Sequence, residues 1–196
     1  MATLFVDKLD PQSGTSLEIG SSGDTITIPS GATITNNGTQ TGFGGTNTPA
    51  FFASCTGDQT VTNNTATKVT YSNEVYDTNS VYDPSTNYRF TPGFTGKSFI
   101  GAMFWSYDAS EDIYWQSIEL YKNGSSLVYN NNANLATNDN ASLGSAINLV
   151  VAHDSDDYYE IYVKVKTSDS GDVKVPTGSG NNATFRNWFY GYKIIE

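Results

Sequence analysis

Apolar and polar residues alternate along much of this chain with the period of two that is typical of β-strands. In the stretch 160–166, Ile161, Val163 and Val165 fall on one face of an extended chain, and the residues between them fall on the other. A half-buried antiparallel strand requires this pattern. Similar runs recur between residues 49 and 196, turn residues separate them, and no useful window has helical periodicity. The pattern predicts an all-β sandwich or jelly roll.

The sharpest local prediction is a β-hairpin around Asn123 and Gly124. These two residues separate two alternating arms in the sequence SIELYKNGSSLVY. An Asn-Gly pair in this setting is the strongest short-range signal for a two-residue turn of type I′, because both residues accept a positive φ. We therefore expect the strands on either side of this pair to lie next to each other.

Residues 1–48 follow a different pattern. Very short alternating runs around Ile26, Ile28 and Ile34 are interrupted by Gly, Pro and Asn. Strands this short cannot bury a core alone, so we expect the segment to fold on assembly with other copies or with a larger body. A disordered arm is the alternative. The Gly- and Thr-rich residues 41–48 predict a linker, which places a domain boundary before a globular domain at residues 49–196.

Composition and charge narrow the classes of function. Hydrophobic residues make up 37% of the chain and aromatic residues 13%, which is enough for a core. The formal net charge is −10, so no basic surface is expected to bind nucleic acid. The first residues lack the long apolar run of a signal peptide or membrane anchor, and we expect no membrane insertion. The single cysteine, Cys55, lies in the apolar run PAFFASC and is predicted to be a buried small hydrophobe.

The sequence does not predict an enzyme. The only histidine is His153, and the usual hydrolase, zinc-protease and P-loop motifs are absent. Two carboxylate clusters could serve a glycosidase, but both fall in predicted turns, where Asp is ordinarily a turn former. The clusters are Asp108, Glu111 and Asp112, and Asp154, Asp156 and Asp157. The second cluster is also a weak candidate for Ca²⁺, the only cofactor that the sequence suggests.

Residues 71–96 resemble the signature of C1q-like domains. Its spaced aromatic, acidic and glycine positions are matched by Tyr71, Asp77, Tyr82, Phe90 and Gly96, with one extra residue between Tyr82 and Phe90. The phrase YDPSTNYRFTPGFTG is similar to bacterial and phage versions, and the strand WFYGYKI resembles the family's closing strand at Phe189, Gly191 and Tyr192. The resemblance covers about residues 49–196. It implies a C1q/TNF-like jelly-roll β-sandwich that forms a tight homotrimer.

The opening sequence, LFVDKLDPQSGTSLEIGSSGDTITIPSGATI, is similar to the openings of structural proteins of marine tailed phages. In those proteins a short docking segment precedes a variable distal domain. The resemblance implies a virion protein, a tail or head fibre, in which residues 1–48 form an extended β-rich attachment segment that binds other virion proteins. It is expected to be assembled in the host cytoplasm and exposed on the particle. A capsid or tail cement protein without a receptor role, and a secreted glycan-binding or glycan-cleaving module, are the alternatives.

A ligand site is predicted at the exposed tips of the jelly roll. Sugars commonly stack on Tyr or Trp and bond to Asn or Asp, and the sequence FWSYDASEDIYWQ offers this chemistry. The candidate residues are Trp105, Tyr107, Asp108, Tyr114 and Trp115. We therefore expect the domain to contact a host polysaccharide or receptor, with weak sites made effective by multivalent binding.

Overall fold

The computed structural model describes residues 6–38, 47–107, 113–133, 142–168, 171–175 and 187–195. The chain divides into two compact units, Met1–Phe43 and Gly44–Glu196. In the described ranges all regular structure is β, and the strands lie in the second unit. The boundary that the sequence suggests between residues 48 and 49 stays a prediction.

The described residues of the larger unit form thirteen strands, and their pairings are antiparallel. They are β1 (Ala50–Ser54), β2 (Gln59–Val61), β3 (Thr67–Lys68), β4 (Asn73–Thr78), β5 (Tyr82–Asp83), β6 (Arg89–Phe90), β7 (Gly96–Tyr107), β8 (Ile113–Lys122), β9 (Ser125–Ala133), β10 (Ser142–His153), β11 (Tyr159–Thr167), β12 (Val173–Val175) and β13 (Trp188–Lys193).

The strands form two sheets. In the seven-stranded sheet, β7 pairs with β10 on one side and with β13 and β12 on the other. This sheet continues from β13 through β1 to β4, and from β12 to β2. The six-stranded sheet has the order β5-β6-β11-β8-β9, with β3 also paired to β11. The predicted all-β sandwich is thereby confirmed.

The local predictions for the second sheet are also confirmed. Strands β8 and β9 pair directly around the turn, where Asn123 has a φ of 53° and Gly124 a φ of 77°. Both angles are positive, as the predicted type I′ turn requires. In β11, Ile161, Val163 and Val165 are buried and the residues between them face outward.

An aromatic cluster fills the core between the sheets. The fully buried ring of Phe51 lies parallel to Tyr82, with ring centroids 4.7 Å apart, and also contacts Phe90 and Phe189. Gly191 passes under these rings, and a Cβ atom there would lie 3.0 Å from Phe51. The signature aromatics Tyr71, Tyr82 and Phe90 are therefore packing residues of this core, as are Phe189 and Gly191 of the closing strand.

Asp77, the acidic residue of the signature, closes a loop. Its two carboxylate oxygens accept hydrogen bonds from the backbone N–H groups of Val81 and Tyr82, at 3.0 and 2.8 Å. The Tyr82 hydroxyl in turn donates to the carbonyl oxygen of Tyr71 at 2.9 Å. These bonds fix the chain between β4 and β5 and hold the Tyr82 ring against the core.

A buried polar bridge joins the two sheets. Gln116 of β8 accepts a hydrogen bond from the Ser106 hydroxyl of β7 at 2.5 Å and donates to the Ser145 oxygen of β10 at 2.9 Å. Its amide also donates to the carbonyl oxygen of Phe104 at 3.2 Å. Among the described residues, every buried side-chain nitrogen or oxygen has a hydrogen-bond partner. The bridge is therefore satisfied, and it fixes the register of one sheet over the other.

The first unit has no strand among its described residues, 6–38. It contains turns instead, with hydrogen bonds from Asp24 N–H to the Ser21 carbonyl and from Ala32 N–H to the Pro29 carbonyl. The large aliphatic side chains there are 43–59% exposed, namely Val6, Leu9, Leu17, Ile19, Ile26, Ile28 and Ile34. Among residues 6–38 the short strands that the sequence suggests are therefore not formed, because runs this short lack a partner to complete a ladder. The described residues also contain no helix long and apolar enough to span a membrane.

Candidate functional site

The outward side of the seven-stranded sheet carries a continuous aromatic surface. In β1, β7 and β13 the inward residues, such as Phe51 and Phe189, are buried, and the aromatic residues at the alternate positions are only partly covered or exposed. We call the following residues the aromatic surface: Phe52, Tyr76, Phe99, Trp105, Tyr107, Trp188, Tyr190 and Tyr192. Successive rings from Tyr76 to Tyr192 have centroids 5.4 to 6.5 Å apart. The sheet therefore has two apolar faces, one in the core and one outside.

Tyr190 is held flat across the middle of this surface. Its cross-strand neighbour on β7 is Gly101, and a Cβ atom at that glycine would collide with the Tyr190 ring. The Tyr190 hydroxyl donates to Asn148 Oδ1 at 3.3 Å, across the next strand. Because Gly101 has no side chain, the Tyr190 ring can lie directly on the backbone of β7, and the surface stays flat.

Several members of the aromatic surface and its margin are freely accessible in the single chain. Tyr76 is 51% exposed and Tyr107 40%, and Val150, the β10 neighbour of Phe99, is 51% exposed. A contiguous apolar surface of this kind typically marks an interface with another protein chain.

The predicted ligand residues that the structure describes lie on two different sheets. Trp105 and Tyr107 are stacked, with centroids 5.9 Å apart, and belong to the aromatic surface on β7. Trp115 lies on β8 and therefore in the other sheet. Tyr114 is also on β8 and is 46% exposed. Asp108 lies outside the described residues, as do Glu111 and Asp112 of the first carboxylate cluster.

A groove of about 570 Å³ lies on the outward side of the six-stranded sheet. We call it the Trp115 groove; it is lined by Trp115, Ser117, Glu119, Ser126, Tyr129, Asn131, Ala133 and Lys164. The Lys164 ammonium lies 5.8 Å from the centroid of the Trp115 ring. The carboxylate of Glu119 accepts hydrogen bonds from the hydroxyls of Ser117 and Ser126, at 3.1 and 3.3 Å. An aromatic platform, a cation, a carboxylate and an amide thus share one open concavity.

Sequence reasoning identified only Trp115 of this groove. The other members lie on three strands, and the pairing of β8 with both β9 and β11 brings them together. The alternation in each strand does indicate an outward side, but the register that aligns the strands is visible only in three dimensions.

The calcium candidates form a turn that uses its carboxylates internally. Asp157 Oδ2 pairs with the Lys122 ammonium at 2.6 Å and accepts from the N–H of Asp154 at 2.8 Å, while Oδ1 accepts from the Asn123 amide at 2.6 Å. Asp156 is exposed. No group of three metal-ligating side chains that could hold a metal ion occurs in the described part of the chain. The loop therefore gives the calcium prediction no support.

The same contacts lower the pKa of Asp157 from 3.8 to about 2, chiefly through the hydrogen bond from Lys122 and then through the backbone bond from Asp154. The folded protein therefore releases this proton more readily than the unfolded chain. Its stabilising contribution is complete above a pH of about 4 and is lost as the pH falls towards 2.

We expect Asp157→Asn to lower the thermal midpoint at pH 6 and to have a much smaller effect at pH 2. The exposed Asp156→Asn is the control and should change neither value; an Asp157→Asn effect independent of pH would contradict the assignment.

His153 and Ser98 form a hydrogen-bonded pair that could be mistaken for catalytic groups. The Ser98 hydroxyl lies 2.9 Å from His153 Nε2, and His153 Nδ1 lies 2.9 Å from the Phe94 carbonyl oxygen. The ring is therefore oriented by donation from Nδ1 to a carbonyl, not to a carboxylate. Ser98 is fully buried and His153 nearly so, which leaves the hydroxyl closed to a substrate. The pair ties β7 to β10 and to the chain before β7.

Cys55 is buried, as the sequence predicts. Burial raises the pKa of its thiol from 9.0 to about 12, because the thiolate is poorly solvated there. A thiol in this state is not an activated nucleophile.

Comparisons with solved structures identify the architecture. Murine APRIL is similar over 74% of this chain and 98% of its own, with 9% identity and a TM-score of 0.50. The Eiger TNF of S. frugiperda is similar over 74% of this chain and 91% of its own, with 10% identity and a TM-score of 0.52. The globular domain of zebrafish complement 1qA matches over 74% of this chain and 96% of its own, with 16% identity and a TM-score of 0.43.

The fold is therefore the TNF-type jelly roll, within the C1q/TNF-like class that the sequence predicts. No protein-family model matches the chain. No curated protein matches it either.

Proposed function

We propose that this chain is a trimeric virion fibre protein of tailed-phage type, whose jelly-roll unit binds a ligand on the host surface. The single observation that carries the proposal is the aromatic surface on the outward side of the seven-stranded sheet. Its exposed rings, with Val150 beside them, would be unfavourable in water on an isolated chain. Three copies related by a closed threefold axis would cover this surface without leaving an open end.

The first unit supports an assembly role. Its seven large aliphatic side chains are exposed over the described residues 6–38, and its turns are built from local hydrogen bonds. Such a segment gains stability only when another body covers its apolar residues. We assign it to attachment, because the opening sequence resembles the docking segments of marine phage structural proteins.

The ligand-binding role follows from what the trimer would leave uncovered. The Trp115 groove lies on the other sheet from the aromatic surface and so stays open when that surface is buried. Weak binding at one groove would be multiplied by three copies on one fibre. A cement protein is the alternative, and it would need no such groove.

Immunogold labelling of virus particles tests this proposal. Antibodies against the full chain are applied to particles purified from an infected culture in which the chain is produced. The proposal predicts gold at the outer ends of fibres. Gold spread evenly over the capsid would favour the cement alternative, and chain found only in the particle-free supernatant would overturn the virion assignment.

A further inference from the structure

Two lysines stand beside Trp115 on a protein that is otherwise strongly acidic. Lys166 is the direct cross-strand neighbour of Trp115, and the Lys164 ammonium lies 5.8 Å from the centre of its ring. The chain has only ten Lys and Arg residues against twenty Asp and Glu. Neither lysine forms an ion pair with any residue that the structure describes. Their charges are therefore available to a ligand at this end of the Trp115 groove.

The groove has the size and the chemistry of a saccharide subsite. Its volume of about 570 Å³ falls within the range of small-molecule sites. The Trp115 ring offers an apolar platform, and Asn131 and Glu119 place an amide and a carboxylate along the same concavity. Hydroxyl groups of a sugar can bond to both, while its apolar face packs on the indole.

We propose that the Trp115 groove binds an acidic saccharide, with one sugar ring on Trp115 and its carboxylate between Lys164 and Lys166. Charge complementarity selects this ligand over a neutral sugar, because a neutral sugar leaves both ammonium groups without an anionic partner. A polyanion gains nothing from the general field of a protein with a net charge of −10. Its binding must therefore depend on the local cations. The inference rests on the proposed ligand-binding function and specifies the ligand class.

The test uses the full chain and three uronic-acid probes, namely oligogalacturonate, oligomannuronate and hyaluronan oligosaccharides, with titration calorimetry as the readout. The methyl ester of oligogalacturonate is the matched neutral ligand. We expect at least one of the three free acids to bind. If oligogalacturonate binds, its methyl ester should bind about tenfold more weakly, because the ester lacks the charge-assisted contacts to the lysines. Failure of all three acids would overturn the inference.

Variants locate the site. Lys164→Gln with Lys166→Gln removes both charges from the outward side of β11 and should weaken acid binding about tenfold or more. Trp115→Leu should weaken it similarly by removing the platform. Lys193→Gln, which removes one cation from the other sheet, is the control and should bind as the unaltered chain does. Equal losses in the control and the groove variants, or no loss in the groove variants, would place the ligand elsewhere.

The two proposals fail in different ways. If the groove variants bind like the unaltered chain while fibre tips still carry gold, only the acidic-saccharide inference is wrong. If the chain is absent from virus particles but the groove binds acidic sugars, the virion assignment is wrong and the groove stands.

Discussion

Phe51→Ala is expected to lower the free energy of unfolding by about 3–5 kcal/mol, the usual cost of removing a buried phenylalanine from a core. The ring is fully buried and contacts three other aromatic rings, those of Tyr82, Phe90 and Phe189, at centroid distances of 4.7 to 4.9 Å. Its removal leaves a cavity that these rigid rings cannot fill, and Gly191 beneath them adds no side chain. Urea unfolding followed by tryptophan fluorescence measures the change.

Phe52→Ala is the matched control, since the same side chain is removed one residue further along β1. Phe52 points to the aromatic surface and is only partly covered in the single chain. We expect its loss to leave the core intact and to make the unfolding midpoint more dependent on protein concentration, because assembly is weakened. Equal destabilisation by the two variants at every concentration would contradict the assignment of one phenylalanine to the core and the other to the interface.

Tyr76→Arg combined with Val150→Arg is expected to convert the proposed trimer into single folded chains. Both positions are 51% exposed in the single chain and lie at opposite margins of the aromatic surface, on β4 and β10. An arginine there would be buried without a partner in every interface. The penalty is several kcal/mol per buried charge, so the dissociation constant should rise by a factor of about 100 or more.

Sedimentation velocity gives the mass of this double variant, and circular dichroism checks that it stays folded. Tyr129→Arg is the control, because Tyr129 is a 62% exposed tyrosine on the other sheet. That variant should stay trimeric. A double variant that sediments like the unaltered chain would show that another surface carries the assembly.

Parts of the fold could be predicted from sequence where a short stretch carries a local pattern, such as alternating apolar residues or a turn motif. The alternation at Ile161, Val163 and Val165 marks the buried side of β11 because side chains alternate between the two faces of every strand. The Asn123-Gly124 pair marks a turn because few other residue pairs adopt two positive φ angles. Both signals act over a few residues and do not depend on which strands become neighbours.

The sequence could not predict which residues line the Trp115 groove together with Trp115, because the groove depends on pairing between distant strands. Trp105 and Trp115 are close in sequence, but they lie in different sheets. Lys164 reaches the Trp115 groove only through the register of β8 and β11. Asp157 is a candidate metal ligand in sequence, and its ion pair with Lys122 is visible only in three dimensions. Long-range register decides all of these positions.

In the first unit, the structure differs from the sequence prediction for another reason. Its aliphatic residues, such as Ile26 and Ile28, alternate as in a strand, but the described residues 6–38 form none. A strand exists only when its backbone groups have partners. The sequence pattern therefore indicates a capacity for pairing that the described residues 6–38 do not use among themselves.

Burial of the aromatic surface between copies of this chain is the claim on which the proposed function depends. Sedimentation equilibrium of the unaltered chain over a range of concentrations measures its mass without reference to shape. We predict one species at three times the 21.2 kDa of the chain. A species of 21.2 kDa at every concentration, folded and with its aromatic surface in water, would contradict it.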